Sequence, residues 1–222
     1  MPQRLEPKLG ILPEAQQQIW ASLAPTAQRG FVLYGGTAVA LHLGHRTSVD
    51  FDFFRTEMLD KKVIRSSFPF VPAATILQDT PDTLVLSAAM PAGPVKVSFF
   101  GGMAIGRLND PLRTIDGTLL VASLEDLMAT KLKATLDRAE AKDYRDIASM
   151  ISAGTSLPIG LSAFKQMFNG EPAEVLRAIG FFGDGDLKNL SEADRKILCD
   201  ARDQVGALPE VRLRTGLVPA NA

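Results

Sequence analysis

Apolar positions change rhythm along this chain, from helical spacing to short strand-like runs and back to helical spacing. After a Pro-containing, irregular stretch over residues 1–12, Ile19, Trp20 and Leu23 share one face of a helix over 13–24, started by Pro13 and ended by Pro25. Residues 31–34 read as a buried strand. A small-residue helix over 38–43 follows, opened by Gly35-Gly36-Thr37, and then a second apolar strand carries Asp50 and Asp52. Met58, Leu59, Val63 and Ile64 predict a helix within 57–66. Strands over 74–77, 83–88 and 95–100, joined at Asp79-Thr-Pro-Asp82 and Pro91-Ala-Gly-Pro94, form an antiparallel meander. Residues 103–117 read as irregular, and 118–122 as a last strand. Ser123, with Asp126 three positions on, caps a helix reaching about Arg138. Further helices are expected over 142–152, 159–168, 172–179 and 191–204, and an irregular tail after Leu208. The class is α+β, with a mixed, partly antiparallel sheet core over 1–120 and a C-terminal helical region over 121–222.

The chemistry concentrates where the rhythm first turns to strand. Side chains of a strand alternate faces, so Asp50 and Asp52 point to one side while Val49, Phe51 and Phe53 point to the other. Two such carboxylates repel, and a divalent cation between them removes the penalty. Magnesium, or manganese in its place, takes oxygen ligands, commonly one or two carboxylates completed by substrate phosphates. Gly35 and Gly36 let backbone come close to a ligand, and the helix they open offers free N–H groups to a phosphate, with the Thr37 hydroxyl beside them. A phosphate cradle followed by a metal-holding Asp-x-Asp is what nucleotidyl transfer from an NTP needs. His45 and Arg46 form a basic edge near the phosphates, and Ser48 can hydrogen-bond the loop that leads to the metal site. Phe51, Phe53 and Phe54 read as core.

These residues carry a resemblance. Gly-Gly followed at this separation by Asp-x-Asp resembles the signature of the DNA polymerase β-type nucleotidyltransferases. The fuller string, Gly35-Gly36-Thr37-Ala38-x-Ala40-Leu41 with His45-Arg46-x-Ser48-x-Asp50-x-Asp52-Phe53, resembles the AbiEii/AbiGii toxin family within them. A second string supports it: Lys131-Leu132, Ala134, Arg138, Lys142-Asp143 and Asp146-Ile147 match that family's Lys-Leu-x-Ala helix and following acidic segment. The resemblance, over roughly residues 15–155, implies a polymerase β-like core whose C-terminal helical region completes the active site. It implies that Lys131 binds nucleotide phosphates, that Asp143 or Asp146 adds a carboxylate, and that Arg46 touches substrate. It also implies a toxin-like enzyme acting on RNA at the tRNA 3′ end and countered by a separately encoded antitoxin. A protein hydroxyl as acceptor, or a degenerate nucleotide-binding regulatory protein, are the alternatives. The last arises because the strand over 95–100 offers Lys96 and Ser98 where many relatives place a third carboxylate.

Composition narrows this little. Hydrophobic residues are 46% and charged residues 22% of 222, and a net charge of −1 announces no basic field for nucleic acid. The single cysteine, Cys199, fits a reducing compartment and reads as a helix core residue. Residues 1–9 lack an apolar signal segment, and no run reaches the length of a membrane span, so a cytoplasmic protein without membrane contact is expected.

Overall fold

A computed structural model of the chain describes residues 4–219, which divide into two compact units. The first runs through Ile105, resumes over Asp110–Ala122 and takes up the chain again at Thr215; the second holds Gly106–Asn109 and Ser123–Arg214.

The first unit is built on a mixed sheet. In chain order its elements are β1 (Arg4–Leu5), α1 (Glu14–Ile19), α2 (Pro25–Gln28), β2 (Val32–Tyr34), α3 (Gly35–Leu43), β3 (Asp50–Phe54) and α4 (Lys61–Ser67), followed by β4 (Thr75–Thr80), β5 (Thr83–Met90), β6 (Gly93–Phe100), β7 (Leu112–Thr114) and β8 (Leu120–Val121). The strand order is β1-β7-β8-β2-β3-β6-β5-β4. The pairs β1/β7, β2/β8 and β3/β6 run parallel, and the others antiparallel.

Alternation on the central strands separates core from site. Phe51 and Phe53 lie in register with Val97 and Phe99 on β6, which in turn face Leu86 and Leu84 on β5; all six are buried. Phe99 is the hub, its ring centroid 5.3, 5.8 and 5.1 Å from those of Phe31, Phe53 and Phe68. Each such ring contributes about 1.5–3 kcal/mol by burial alone. Asp50 and Asp52 rise from the opposite face, as their period of two requires.

Several local expectations are corrected. Pro25 does not end helical structure; it occupies the first turn of α2, where a missing N–H is no loss. Arg4 and Leu5 are not irregular but pair in parallel with Arg113 and Thr114, so a short strand also lies inside the stretch 103–117; the expectation for residues 1–3 falls outside the described residues. Two- and three-residue strands show no periodicity to read. The helix expected within 57–66 starts only at Lys61, where the Asp60 side chain accepts from the N–H groups of Lys62 and Val63 at 3.0 Å. Phe54 is half-buried rather than core, because it shares the face of Asp52; it stacks on Tyr34 with centroids 5.0 Å apart. Val49 precedes the first paired residue of β3 and is 50% exposed. Cys199 is half-buried.

Trp20, the only tryptophan, donates its indole N–H to Asp116 Oδ2 at 2.7 Å, and Thr114 Oγ1 and the Thr118 N–H donate to Asp116 Oδ1. Partial burial pushes the Asp116 carboxyl up, but the bonds from Thr114, Trp20 and Thr118 outweigh it and hold it at about 2.

The second unit is helical: α5 (Leu124–Asp137), α6 (Ala141–Ser152), α7 (Leu157–Phe168), α8 (Pro172–Ala178) and α9 (Glu192–Asp203). Ser123, Ser156 and Ser191 cap α5, α7 and α9 with their hydroxyls. On α5 Leu127, Met128 and Leu132 are buried, while Leu124 and Leu136 are only partly so. Gly160 of α7 lies so close to α5 that a Cβ there would stand 2.3 Å from Met128 Cγ. Asp126 is buried on the same helix, where it accepts from the Leu108 and Asn109 N–H groups and from the Ser123 hydroxyl. Burial raises its carboxyl above the usual value against those bonds. This anchors Gly106–Asn109 to the helical unit.

Lys131 is also buried. Its Nζ is 2.7 Å from Asp143 Oδ1 and 2.6 Å from Asp146 Oδ2, and both aspartate side chains are fully buried. Arg138 Nε reaches Asp143 Oδ2 at 2.7 Å. Burial pushes the Asp143 carboxyl up, yet the hydrogen bond from Arg138 and the charge and hydrogen bond of Lys131 overcome it and hold the group below the usual carboxylate value.

Two stability predictions follow from these groups. The Asp116 carboxyl is depressed from 3.8 to about 2, so its stabilisation is complete above 3.8 and is lost as pH falls through the folded value. Asp116→Asn should flatten that part of the acid limb in urea midpoints, and the Trp20 emission should shift, since the indole loses a charged acceptor. Lys131→Met removes the buried cation shared by two buried carboxylates, leaving Asp143 with Arg138 alone, and should lower unfolding free energy by about 3–5 kcal/mol. Adding Asp146→Asn should recover part of the loss, and a double-mutant cycle by urea unfolding should show coupling of at least ~0.5 kcal/mol.

Candidate active site

The first unit brings seven of the expected site residues together: Gly35, Gly36, Thr37, Arg46, Ser48, Asp50 and Asp52. β2 hands directly to α3 at Tyr34-Gly35, with no intervening loop. The turn is possible because Gly35 takes φ +74°, a left-handed conformation that side chains rarely adopt. A Cβ at Gly35 would stand 2.8 Å from Asp52 Oδ2, and one at Gly36 would stand 2.3 Å from Arg46 Nη2 and 3.2 Å from Ser48 Oγ. The two glycines therefore allow a carboxylate and a guanidinium to lie against the first turn of α3. The first N–H groups of a helix have no partner within the helix, and the positive end of the helix dipole lies there.

Thr37 is buried, and its hydroxyl works within the protein. It donates to the Asp50 carbonyl, and its oxygen lies 2.9 Å from Ser48 Oγ. These contacts tie the first turn of α3 to the start of β3 and fix where Asp50 leaves the sheet. Arg46 Nη1 donates to the Thr47 carbonyl at 3.0 Å. His42 Nε2 lies 2.9 Å from the Ala122 carbonyl oxygen, a contact within the unit's framework.

Strand β6 supplies the neighbours of the two carboxylates. In the parallel register Asp50 stands opposite Lys96, and Asp52 opposite Ser98. Lys96 Nζ is 3.6 Å from Asp50 Oδ2. Ser98 is buried, and its hydroxyl has no hydrogen-bond partner among the described residues. Strand alternation had put Lys96 and Ser98 on this face, but the pairing of Lys96 with Asp50 depends on a register that only the folded sheet defines.

Among the described residues no three His, Cys, Asp or Glu side chains converge as a self-sufficient metal cage. Asp50 and Asp52 on one face of β3, beside the open helix N-terminus, nevertheless fit a hard cation that completes its shell with phosphate oxygens and water. The remaining expected residues, Lys131, Asp143 and Asp146, are brought together in the second unit as the buried ion cluster described above. Arg138 joins it at Asp143, while Lys142 turns instead to Glu140 at 2.7 Å.

Comparison with known proteins speaks for the family and the fold. The family described as "Nucleotidyl transferase AbiEii toxin, Type IV TA system" matches residues 19–204. An uncharacterised protein of Aquifex aeolicus (strain VF5) is 30% identical over 119 residues, covering 53% of this chain and 55% of that protein. The chain thus spans about half the length of this curated relative. MenT4, a nucleotidyltransferase toxin from Mycobacterium tuberculosis H37Rv, superposes with a TM-score of 0.59 at 17% identity, over 87% of this chain and 83% of that one. A candidate nucleotidyltransferase from H. pylori superposes with a TM-score of 0.56 at 19% identity, over 85% and 92%. At such identities the superpositions speak for the fold. With 19–204 matched and the Gly35-Gly36 turn seated on Asp52, the chain belongs to the AbiEii nucleotidyltransferase toxin family.

Proposed function

We propose that this protein transfers a nucleotidyl group from an NTP to an acceptor hydroxyl on RNA, at the tRNA 3′ end, and acts as a toxin held in check by a separately encoded antitoxin. The observation that carries the reading is the approach of Asp52 Oδ2 and the Arg46 guanidinium to the first turn of α3 at Gly35 and Gly36. It gathers backbone N–H groups, a guanidinium and the Asp52 carboxylate, with Asp50 on the same face of β3, where a triphosphate would need donors on one side and a cation site on the other. The family description supports both the transfer and the toxin role. Among the described residues no helix is long and apolar enough to cross a membrane.

The α3 N–H groups and Arg46 hold the phosphates and orient the α-phosphorus. Thr37 and Ser48 are positioning residues: their contacts set the start of β3, and so the direction of Asp50. A divalent cation, magnesium or manganese, held by Asp50 and Asp52 supplies neutralisation of triphosphate charge. The acceptor hydroxyl oxygen forms a bond to the α-phosphorus, the bond from that phosphorus to the bridging oxygen breaks, pyrophosphate departs, and the hydroxyl proton passes to solvent. The buried cluster of Lys131, Asp143 and Asp146 is a structural support of the helical unit. Asp143, held low by two cations, is a poor proton acceptor and a good anchor.

Incubating the protein with magnesium, each labelled NTP, total tRNA and cell protein tests the reading. Label should enter tRNA; label in protein, or bound NTP with no transfer, would overturn the RNA assignment. Asp50→Ala and Asp52→Asn should each reduce transfer by at least ~100-fold, the scale for losing a preorganised electrostatic group. Gly35→Ala should do likewise while also destabilising the fold by about 1–2 kcal/mol, because an L side chain at this φ is strained and its Cβ would displace Asp52. Full activity in Asp50→Ala would remove the site assignment altogether.

A further inference from the structure

Lys96 is the charged residue at this site that the transfer step leaves without a task. It stands in register with Asp50 on the parallel neighbour β6, so its side chain rises from the same face of the sheet. Its ammonium lies 3.6 Å from Asp50 Oδ2, and both side chains are partly open to solvent, at 46% and 39% exposure. The next residue on that face of β6 is Ser98, opposite Asp52, with a buried hydroxyl and no hydrogen-bond partner among the described residues. The lane of β6 beside the two carboxylates therefore carries a cation and a neutral hydroxyl, with no further anionic ligand.

This changes how a divalent cation can enter. The ammonium of Lys96 offsets one of the two carboxylate charges. A cation approaching Asp50 must displace Lys96 or share a carboxylate oxygen with it, against direct repulsion. A triphosphate alters both conditions. It brings its own oxygens to complete the cation's shell, and it offers Lys96 another anion to pair with.

We propose that Lys96 makes metal loading at Asp50 and Asp52 conditional on the triphosphate: in the nucleotide-free protein its ammonium holds Asp50 and discourages a free divalent cation, and on nucleotide binding it releases Asp50 and pairs with phosphate. Metal and nucleotide thereby load together. The inference rests on the proposed transfer reaction for the identity of the triphosphate.

The test is Mn²⁺ binding to the full chain, followed by electron paramagnetic resonance, without turnover. Wild type, Lys96→Gln, Lys96→Glu and the exposed-surface control Lys62→Gln are compared, each checked for a native thermal transition. Without nucleotide, Lys96→Gln should bind Mn²⁺ about 2–5-fold more tightly than wild type, the range expected for releasing a partly exposed ion pair, and Lys96→Glu more tightly still. Lys62→Gln should match wild type. With a non-hydrolysable NTP analogue the order should reverse, Lys96→Gln holding the analogue several-fold more weakly. Equal nucleotide-free affinities in wild type, Lys96→Gln and Lys96→Glu would overturn the proposal, as would analogue binding unaffected by Lys96→Gln. If Asp50→Asn abolishes Mn²⁺ binding but Lys96→Gln changes nothing, the role of Lys96 fails and the site stands. If Asp50→Asn leaves Mn²⁺ binding intact, the site assignment fails with it.

Discussion

The seating of Asp52 against Gly35 is the contact on which the first unit's site depends. A strand passes into a helix with no loop between them, which leaves the first turn of α3 at the edge of β3. Any Cβ at Gly35 would meet Asp52 Oδ2 at 2.8 Å, and the positive φ already excludes most side chains. The same absence of side chains bares the N–H groups of the turn. Close approach and ligand access are thus two results of one local choice, and the Thr37 bond to the Asp50 carbonyl locks the two segments in that relation. The other face of the sheet beneath is packed by the Phe99 cluster.

Much of this was legible because the relevant signals are local. Alternation over Asp50–Phe54 assigned the carboxylates and the phenylalanines to opposite faces, and burial agrees for Phe51 and Phe53. Gly35-Gly36 before a small-residue helix marked the turn. The meander over β4, β5 and β6 followed from its turn residues, although each strand runs longer than its apolar stretch. What escaped was non-local. The pairing of β1 with β7 joins residues more than a hundred positions apart, and no spacing rule reaches that far. Phe54 differs for another reason: alternation cannot put both Phe53 and Phe54 in the core, and the phase of β3 places Phe54 on the face of Asp52, stacked on Tyr34. Pro25 failed because proline both ends one helix and starts another, and only the following turn distinguishes them.

The helical unit poses the opposite problem. Lys131, Asp143 and Asp146 were picked out by resemblance, and the structure brings them together as a buried ionic group. A lysine beside an apolar stripe can reach solvent or turn inward, and sequence cannot say which, since the deciding partners lie a helix away. Here the outcome follows from charge. Two buried carboxylates would not both remain ionised without compensation, and Lys131 and Arg138 supply it. The depressed carboxyl of Asp143 is the signature of that balance. Such a cluster restricts how α5 and α6 can pack, since a shift of either helix would leave a charge unpaired in a dry environment.

The two acidic groups are compensated in different ways, and the difference bears on function. Around Asp143 one cation, Lys131, is itself buried at 2.7 Å, and the more exposed Arg138 adds a second short bond at 2.7 Å. Around Asp50 the ammonium of Lys96 is partly solvated and 3.6 Å away, a pairing worth little in water and readily exchanged. A buried pair serves the fold. An exchangeable one suits the proposed site, which would accept a cation and a polyanion together and later release what remains of them. The weakness of the Lys96 contact is therefore not evidence against the proposed role; a strong, buried pair at Asp50 would close the site to a cation.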